Sequence, residues 1–284
     1  MTIEFWFMFP IAIGIATIAM GSGVEGAAFF SPFFMIVLGL DPATAIGAGL
    51  ITEVFGFSSG LFAYYRRQLI DYRLGAQVLA ISIPMALVGT WVAHYVADDV
   101  LKGILSVGLV AVALSFLRAP DEEVKEGLEA RARQVPKRAE RCLTTASGER
   151  ICYSVFNRTE GLLTGGIGGT FIGMLSTGLG ELNGYLFLQR CRIPSGVAVA
   201  TSVFIVALTA VAASASHVVH FAQADATTLQ QVLNLLLFTV PGVIIGGQLG
   251  PYVSQNVPDD TLELGMGVVF ILIAAVLMLE IILA

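Results

Sequence analysis

Long apolar runs recur along almost the whole chain and are separated by short polar connections. A helix needs about 20 apolar residues to cross the hydrocarbon core of a membrane. The pattern is therefore that of an all-α integral membrane protein. It predicts full-length helices at residues 43–65, 74–96, 100–117, 195–221, 229–253 and 261–284, and shorter or glycine-broken helices at residues 5–20, 27–40, 161–178 and 182–191.

Landmarks in the first half of the chain return in the second half. The matched positions share one constant offset and are Pro84 with Pro241, Gly89 with Gly246, and Tyr95 with Tyr252. We therefore expect a first membrane repeat at residues 1–117 and a second at residues 159–284, each with five segments. Short loops rich in Lys and Arg mark the cytoplasmic side. Their distribution gives the two halves opposite orientations, the inverted-repeat arrangement of many secondary transporters.

A polar segment, residues 118–158, connects the two repeats and holds most of the Lys and Arg residues. It predicts a short charged helix at residues 121–134 and a small β-hairpin at residues 140–156. Its basic residues place it in the cytoplasm. Cys142 and Cys152 lie in this segment. Because the cytoplasm is reducing, we expect both to be free thiols.

Composition excludes several classes of function. Charged residues make up 13% of the chain and the mean hydropathy is +0.83, whereas soluble domains are about 25% charged. No basic face is available for nucleic acid. The chain contains no catalytic nucleophile–histidine pattern and no Cys/His cluster with metal-ligand spacing. We therefore expect no enzyme activity, cofactor or metal. The expected location is a prokaryotic plasma (inner) membrane.

Two glycine-rich stretches interrupt the apolar runs, at residues 20–26 and 175–184. Glycine loosens a helix, and the backbone amides that it frees are tolerated at membrane depth only in protein or beside a wet cavity. Paired interruptions in two halves are the best sequence indication of a transport site. Helix N-termini also bind anions. The predicted anion-binding residues are Ser22, Gly23, Gly26, Ser176, Thr177, Gly178, Gly180 and Asn183, with Thr201 and Ser202 after Pro194. The alternative is close helix packing through small residues.

Three glutamates, Glu25, Glu53 and Glu181, fall inside the apolar runs. An ionisable residue at this depth is costly and is a functional candidate by default. Burial favours the neutral acid, which tolerates a nearby anion, whereas the ionised form repels it. Proton uptake on one side could then admit an anion, and proton release on the other could eject it. The alternative is a cation transporter in which these carboxylates are ligands.

The three histidines lie near predicted helix ends. His94 is near the end of the fourth segment, and His217 and His220 are near the end of the eighth. Interfacial anchoring is the simpler interpretation, and a proton relay is the alternative.

These motifs resemble those of the sulfite exporter TauE/SafE family. The resemblance lies in the break at residues 21–26 with Pro32, the following helix from Pro42, the break at residues 176–181, and Pro194 with Ala200-Thr201-Ser202. It covers both membrane halves but not the polar segment. It implies a permease or exporter for small sulfur-containing anions such as sulfite or organosulfonates. Glu25 within the first break and Gly49 in place of a usual Ser depart from the family pattern. A second copy of the chain is a further candidate partner.

Overall fold

The computed structural model describes residues 5–22, 25–117, 141–153, 158–184, 186–187, 191, 193–223, 226–256 and 259–283. The helices of the first half are α1 (Met8–Ser22), α2 (Ala27–Ile36), α3 (Pro42–Arg67), α4 (Tyr72–Ala93) and α5 (Asp98–Leu117). A hairpin of β1 (Arg141–Thr144) and β2 (Arg150–Tyr153) follows. The helices after it are α6 (Arg158–Leu175), α7 (Leu179–Gly184), α8 (Ser195–Gln223), α9 (Ala226–Asn256) and α10 (Asp259–Leu283).

Local chemistry explains where the helices begin. Asp41 caps α3 by accepting a hydrogen bond from the Thr44 N–H, and Pro42 takes the first helical position, where its missing donor costs nothing. Four described helices are long and apolar enough to cross a membrane, namely residues Tyr72–Ala93, Gly196–Gln223, Thr227–Gly250 and Leu264–Leu283. The prediction of an all-α membrane protein is confirmed at this level. α7 differs from prediction, because it begins at Leu179 and ends at Gly184.

Glycines let helices of one half pack directly on helices of the other. Gly89 on α4 lies against the carbonyl of Thr170 on α6, with no room for a Cβ atom between them. Gly246 on α9 lies against the carbonyl of Ile13 on α1 in the same way. The offset that relates Gly89 to Gly246 also relates Ile13 to Thr170. The contact α4–α6 is thus the counterpart of the contact α1–α9.

Two buried contacts between hydroxyl groups show the same correspondence between the two halves. Ser82 Oγ on α4 lies 2.9 Å from Thr209 Oγ1 on α8. Thr239 Oγ1 on α9 lies 3.1 Å from Thr52 Oγ1 on α3. The same offset relates Ser82 to Thr239 and Thr52 to Thr209. All four residues lie in the middle of long helices, so the two halves meet in a polar layer far from both helix ends.

Helices that the constant sequence offset relates to each other run in opposite directions in two cases where their contacts define the relative direction. Lys102, near the start of α5, forms an ion pair of 3.0 Å with Glu280, near the end of α10. Gly267, near the start of α10, packs against Leu117 at the end of α5. Gly47, near the start of α3, similarly lies against His217 near the end of α8. α5 with α10, and α3 with α8, are therefore antiparallel.

The helices define two ends of the molecule. At the Asp71 end, the α3–α4 loop meets the hairpin and the start of α8, since Asp71 contacts both Arg141 and Thr201. At the histidine end, the end of α4 meets the end of α8, since the rings of His94 and His220 stack. The basic loop at Arg66 and Arg67 thus lies at the same end as the hairpin.

The hairpin appears where it was predicted, but its cysteines are not free. β1 and β2 are antiparallel, with Cys142 directly opposite Cys152, and the two form a disulfide. The prediction of free thiols is wrong, because it rested on the expected compartment and ignored the pairing register. Directly opposite positions in an antiparallel pair bring the two Cβ atoms close enough for the attached sulfur atoms to bond. The predicted charged helix at residues 121–134 lies outside the described residues.

Candidate functional site

The two glycine breaks meet each other through the side chain of Glu25. Its Oε2 accepts a hydrogen bond of 3.0 Å from the N–H of Gly178, and its Oε1 accepts one of 2.6 Å from the N–H of Gly180. Both N–H groups belong to the turn that starts α7, where the backbone amides have no partner within the helix. A carboxylate from the first half of the chain therefore fills the amide-lined turn of the second half.

The backbone of the second break explains why glycines are needed there. Gly178 has a φ of +108°, which side chains disfavour, and Ser176 before it has a φ of +62°. A Cβ atom on Gly180 would lie 2.6 Å from Glu25 Oε1. The first glycine permits the turn, and the second permits the approach of the carboxylate. After the turn the chain doubles back along α6, because Leu179 packs against Gly168.

Side chains from α2 and α3 complete this region. Ser31 Oγ on α2 lies 2.6 Å from Ser176 Oγ at the second break. Gly49 on α3 faces Ser31 and leaves no room for a Cβ atom. The carboxylate of Glu53 faces the first break, since a Cβ atom on Gly26 would lie 3.7 Å from Glu53 Oε1. Both Glu25 and Glu53 are 4% exposed. The structure therefore brings two of the three predicted acids to one buried place.

Several polar atoms beside the break have no hydrogen-bond partner among the residues that the structure describes. They are Thr177 Oγ1 and both amide atoms of Asn183. Thr177 is 3% exposed and Asn183 is fully buried. Leaving such a group unsatisfied costs about 1–3 kcal/mol. These buried atoms of the second break are therefore suited to hold a small polar solute or water.

The remaining predicted site residues either lie outside the described residues or lie away from the two breaks. Gly23 and the side chains of Ser22 and Glu181 lie outside the described residues. Thr201 is buried at the Asp71 end, away from the breaks, and its Oγ1 accepts a hydrogen bond of 3.0 Å from the N–H of Asp71. Ser202 is buried beside it on α8.

Asp71 ties the hairpin to the membrane helices. Its Oδ1 accepts from the N–H groups of Arg73 and Leu74, while its Oδ2 accepts from Arg141 at 2.9 Å and from the Tyr153 hydroxyl at 2.7 Å. Burial alone would raise the pKa of Asp71, but the hydrogen bonds from Leu74, Arg141 and Tyr153 and the Arg141 charge lower it. Burial, followed by the bond to Asp71, raises the pKa of Tyr153. The carboxylate and the phenol therefore keep their charge states across the neutral range.

Sequence reasoning missed Ser31 and the hydroxyl layer of Ser82, Thr209, Thr52 and Thr239. Each is a single hydroxyl in an apolar helix, and such a residue more often bonds back to its own helix. The repeat offset could have found the layer, because it relates hydroxyl residues in both halves.

An apolar groove lies away from the two breaks, between other helices. It measures about 530 Å³, opens between α1, α2 and α10, and is lined mainly by apolar side chains such as Ile15, Phe29, Phe33, Met266 and Ile273. An anion needs hydrogen-bond donors or cations, so this groove does not suit one. Among the described residues, no group of three or more His, Cys, Asp or Glu could hold a metal ion.

Comparison with known proteins gives a consistent family assignment. A probable membrane transporter protein of Bacillus subtilis, YunE, is 26% identical over 271 residues, which cover 93% of this chain and 92% of that protein. A second one, YjnA, is 27% identical over 250 residues, covering 83% of this chain and 86% of that protein. No solved structure matches the chain. The family model described as sulfite exporter TauE/SafE matches residues 8–277, and the chain therefore belongs to this family of membrane transporters.

Proposed function

We propose that the protein is a secondary transporter that moves a small sulfur-containing anion, sulfite or an organosulfonate, together with a proton carried by Glu25. The observation that carries this proposal is the pair of hydrogen bonds from Gly178 and Gly180 to the Glu25 carboxylate. The contacts of this carboxylate are those that an oxyanion substrate would make. Glu25 thus stands in the position of the substrate.

Competition between Glu25 and the substrate links transport to protons. A proton on Glu25 removes its negative charge and weakens its hold on the two amides. The amides, with the hydroxyls of Ser176 and Thr177 and the amide of Asn183, then bind the oxygens of the anion. On the opposite side of the membrane, loss of the proton restores the carboxylate, which displaces the anion. The proton and the anion therefore move in the same direction.

The arrangement of the two halves suits alternating access. We propose that residues 1–117 and 159–284 are inverted repeats with the site between them. The proposal is supported by the antiparallel direction of α5 with α10 and of α3 with α8, and by contacts that repeat at one offset. Rocking of one repeat against the other would open the breaks to each end in turn. The polar segment would face the cytoplasm of a prokaryotic cell.

A cation transporter with Glu25, Glu53 and Glu181 as ligands remains the second candidate. Its best support is the approach of Glu53 to the first break. The hydrogen bonds to Glu25 weigh against it, because N–H donors occupy the oxygens that a cation would need. The two candidates differ in pH dependence: acid favours anion binding and opposes cation binding.

Transport in proteoliposomes tests the proposal. We expect wild-type uptake of sulfite or sulfoacetate to accelerate when a proton gradient points in the same direction as the anion. The Glu25→Gln variant should lose this acceleration while exchanging anion at equal pH, and Glu149→Gln, in the exposed turn of the hairpin, should behave like wild type. Gradient-driven uptake by Glu25→Gln would contradict the role of Glu25. Stabilisation of the purified protein by divalent cations alone would favour the cation transporter.

A further inference from the structure

All three histidines of the chain gather in one cluster at the histidine end. The rings of His94 and His220 stack with their centroids 3.5 Å apart and their planes at 10°. The ring of His217 lies 5.5 Å from that of His94. His94 and His220 are partly exposed, whereas His217 is fully buried. The cluster therefore runs from the surface into the protein.

The hydrogen bonds of the cluster leave nitrogen atoms that can accept a proton. His94 Nδ1 lies 2.7 Å from the carbonyl of Thr90, and because a carbonyl only accepts, Nδ1 donates and Nε2 is the basic atom. His217 Nε2 faces the carbonyl of Gly173 at 3.4 Å. His217 Nδ1 is buried and has no hydrogen-bond partner among the described residues. One ring thus accepts a proton at the surface, and another does so in the interior.

The surroundings of the cluster contribute few other charges. α3 and α6 present Gly47 and the carbonyl of Gly173, and α8 adds the apolar ring of Phe221. Within the described part of the chain, the titratable rings that contact His94 are those of His217 and His220. Asp98 and Asp99, at the exposed start of α5, are the nearest acids along the chain. Two stacked imidazoles repel each other when both are charged, so the pair suits one proton at a time.

The end of α6 and the second break lie between the neighbours of His217 and those of Glu25. Gly173, which faces His217, lies one turn before Ser176, and Ser176 contacts Ser31. Gly178, two residues further on, binds Glu25. Ser214 lies one turn before His217 on α8, is buried, and its Oγ has no partner among the described residues. Residues 173–178 thus run along the chain from the carbonyl that faces His217 to an N–H that holds Glu25.

From this geometry we propose that His94, His217 and His220 form the proton entrance of the transporter at the histidine end, passing a proton from water to Glu25. The inference rests on the proposed proton-linked transport. It assigns the entrance to one end only. Proton access from the Asp71 end does not use these residues.

The assignment is tested with oriented proteoliposomes that are acidified on one side only. Sulfite is the probe, and the uptake rate of each variant is divided by that of wild type at the same pH. We expect His217→Gln and His94→Gln to slow proton-driven uptake by at least about tenfold when acid is applied at the histidine end, since a proton-transfer group typically contributes about 100-fold or more. The same variants should transport the anion at wild-type rates when acid is applied at the Asp71 end. They should also exchange anion at wild-type rates when the pH is equal on both sides. Phe221→Leu, which changes packing beside His217 but no ionisable group, is the matched control.

The outcomes separate the two proposals. Suppose that uptake by wild type is proton-driven and that acid at the histidine end accelerates uptake by all three His→Gln variants equally well. The proposed entrance is then disproved, while the proposed function stands. If wild type shows no proton-driven uptake, the proposed function fails, and the entrance fails with it. Ring signals of labelled histidine give a readout that needs no substrate, and they are easily assigned because the chain has 3 histidines. Because the rings of His94 and His220 stack, the proposal expects His220→Gln to shift the ring signals of His94, and unshifted signals would count against it.

Discussion

Glu25 and Gly180, which lie far apart in the chain, are joined by a hydrogen bond of 2.6 Å from the Gly180 N–H to the Glu25 carboxylate. The bond links the two halves of the protein at the point where each half lacks regular helix. Its donor is an amide that helix geometry leaves without a partner. Its acceptor is a carboxylate that would otherwise be costly to bury. Each group thus satisfies the hydrogen-bonding capacity of the other.

Gly180→Ala tests the close approach of the carboxylate. The added Cβ atom would lie 2.6 Å from Glu25 Oε1, so Glu25 must move. We expect a loss of about 1–3 kcal/mol in stability, as for other overpacked sites, and loss of proton-driven transport. Gly184→Ala is the control on the same helix, because a Cβ atom there meets nothing within 4 Å. Thermal unfolding in detergent and flux assays give the comparison, and equal behaviour of the two variants would refute the contact.

Gly89→Ala and Gly246→Ala test the equivalence of the two halves. Each new Cβ atom would meet a backbone carbonyl, that of Thr170 or that of Ile13. Backbone cannot move aside as a flexible side chain can, so we expect each variant to lose about 1–3 kcal/mol. Gly108→Ala on α5 should be neutral, since a Cβ atom there meets nothing within 4 Å. A large loss in only one of the two variants would show that the contacts are not equivalent.

Tyr153→Phe tests the attachment of the hairpin through Asp71. The lost hydroxyl donates a bond of 2.7 Å to a buried carboxylate, so we expect a loss of about 1.5–3 kcal/mol, typical of bonds to charged groups. Ser147→Ala, in the exposed turn of the hairpin, should change stability by less. Chemical or thermal unfolding measures both variants, and equal stability of Tyr153→Phe and wild type would argue against the contact.

Asp71 also predicts how stability depends on pH. Folding lowers the pKa of Asp71, so its contribution is fully present above the unfolded value of about 4. The contribution is lost as the pH falls below that value through the lowered pKa of the folded state. We expect wild type to lose stability as the pH falls below about 4, and Asp71→Asn to lose less on the same acidification. Parallel curves for the two proteins would exclude this role.

The disulfide predicts the labelling pattern of the cysteines. Cys142 and Cys152 should react with a maleimide only after reduction, while Cys191, which is buried, should react only after unfolding. A membrane-impermeant maleimide on whole cells and on inverted vesicles then reports sidedness. The basic residues of the hairpin predict labelling from the cytoplasmic side. Labelling of reduced whole cells would place the hairpin outside, where disulfides persist more readily.

Local features were predictable from sequence, whereas the partners of those features were not. Asp41-Pro42 predicts the start of α3, and the glycines predict both breaks, because helix caps and helix breakers act within a few residues. The pairing of Glu25 with Gly178 and Gly180 depends on how two halves pack, which no local pattern encodes. The sequence favours interfacial anchoring of the three histidines over a proton relay, because their clustering depends on α4 and α8 being parallel. The disulfide follows from the strand register, which places Cys142 opposite Cys152, whereas the prediction of free thiols depended on the compartment alone.

Proton uptake on anion binding tests the central claim most directly. The claim is that an anion and an ionised Glu25 compete for the same two amides. Sulfoacetate added to the purified protein in weakly buffered detergent near neutral pH should cause uptake of about one proton per anion bound. The Glu25→Gln variant should bind sulfoacetate with no proton uptake. Binding to wild type without any proton uptake would contradict the account.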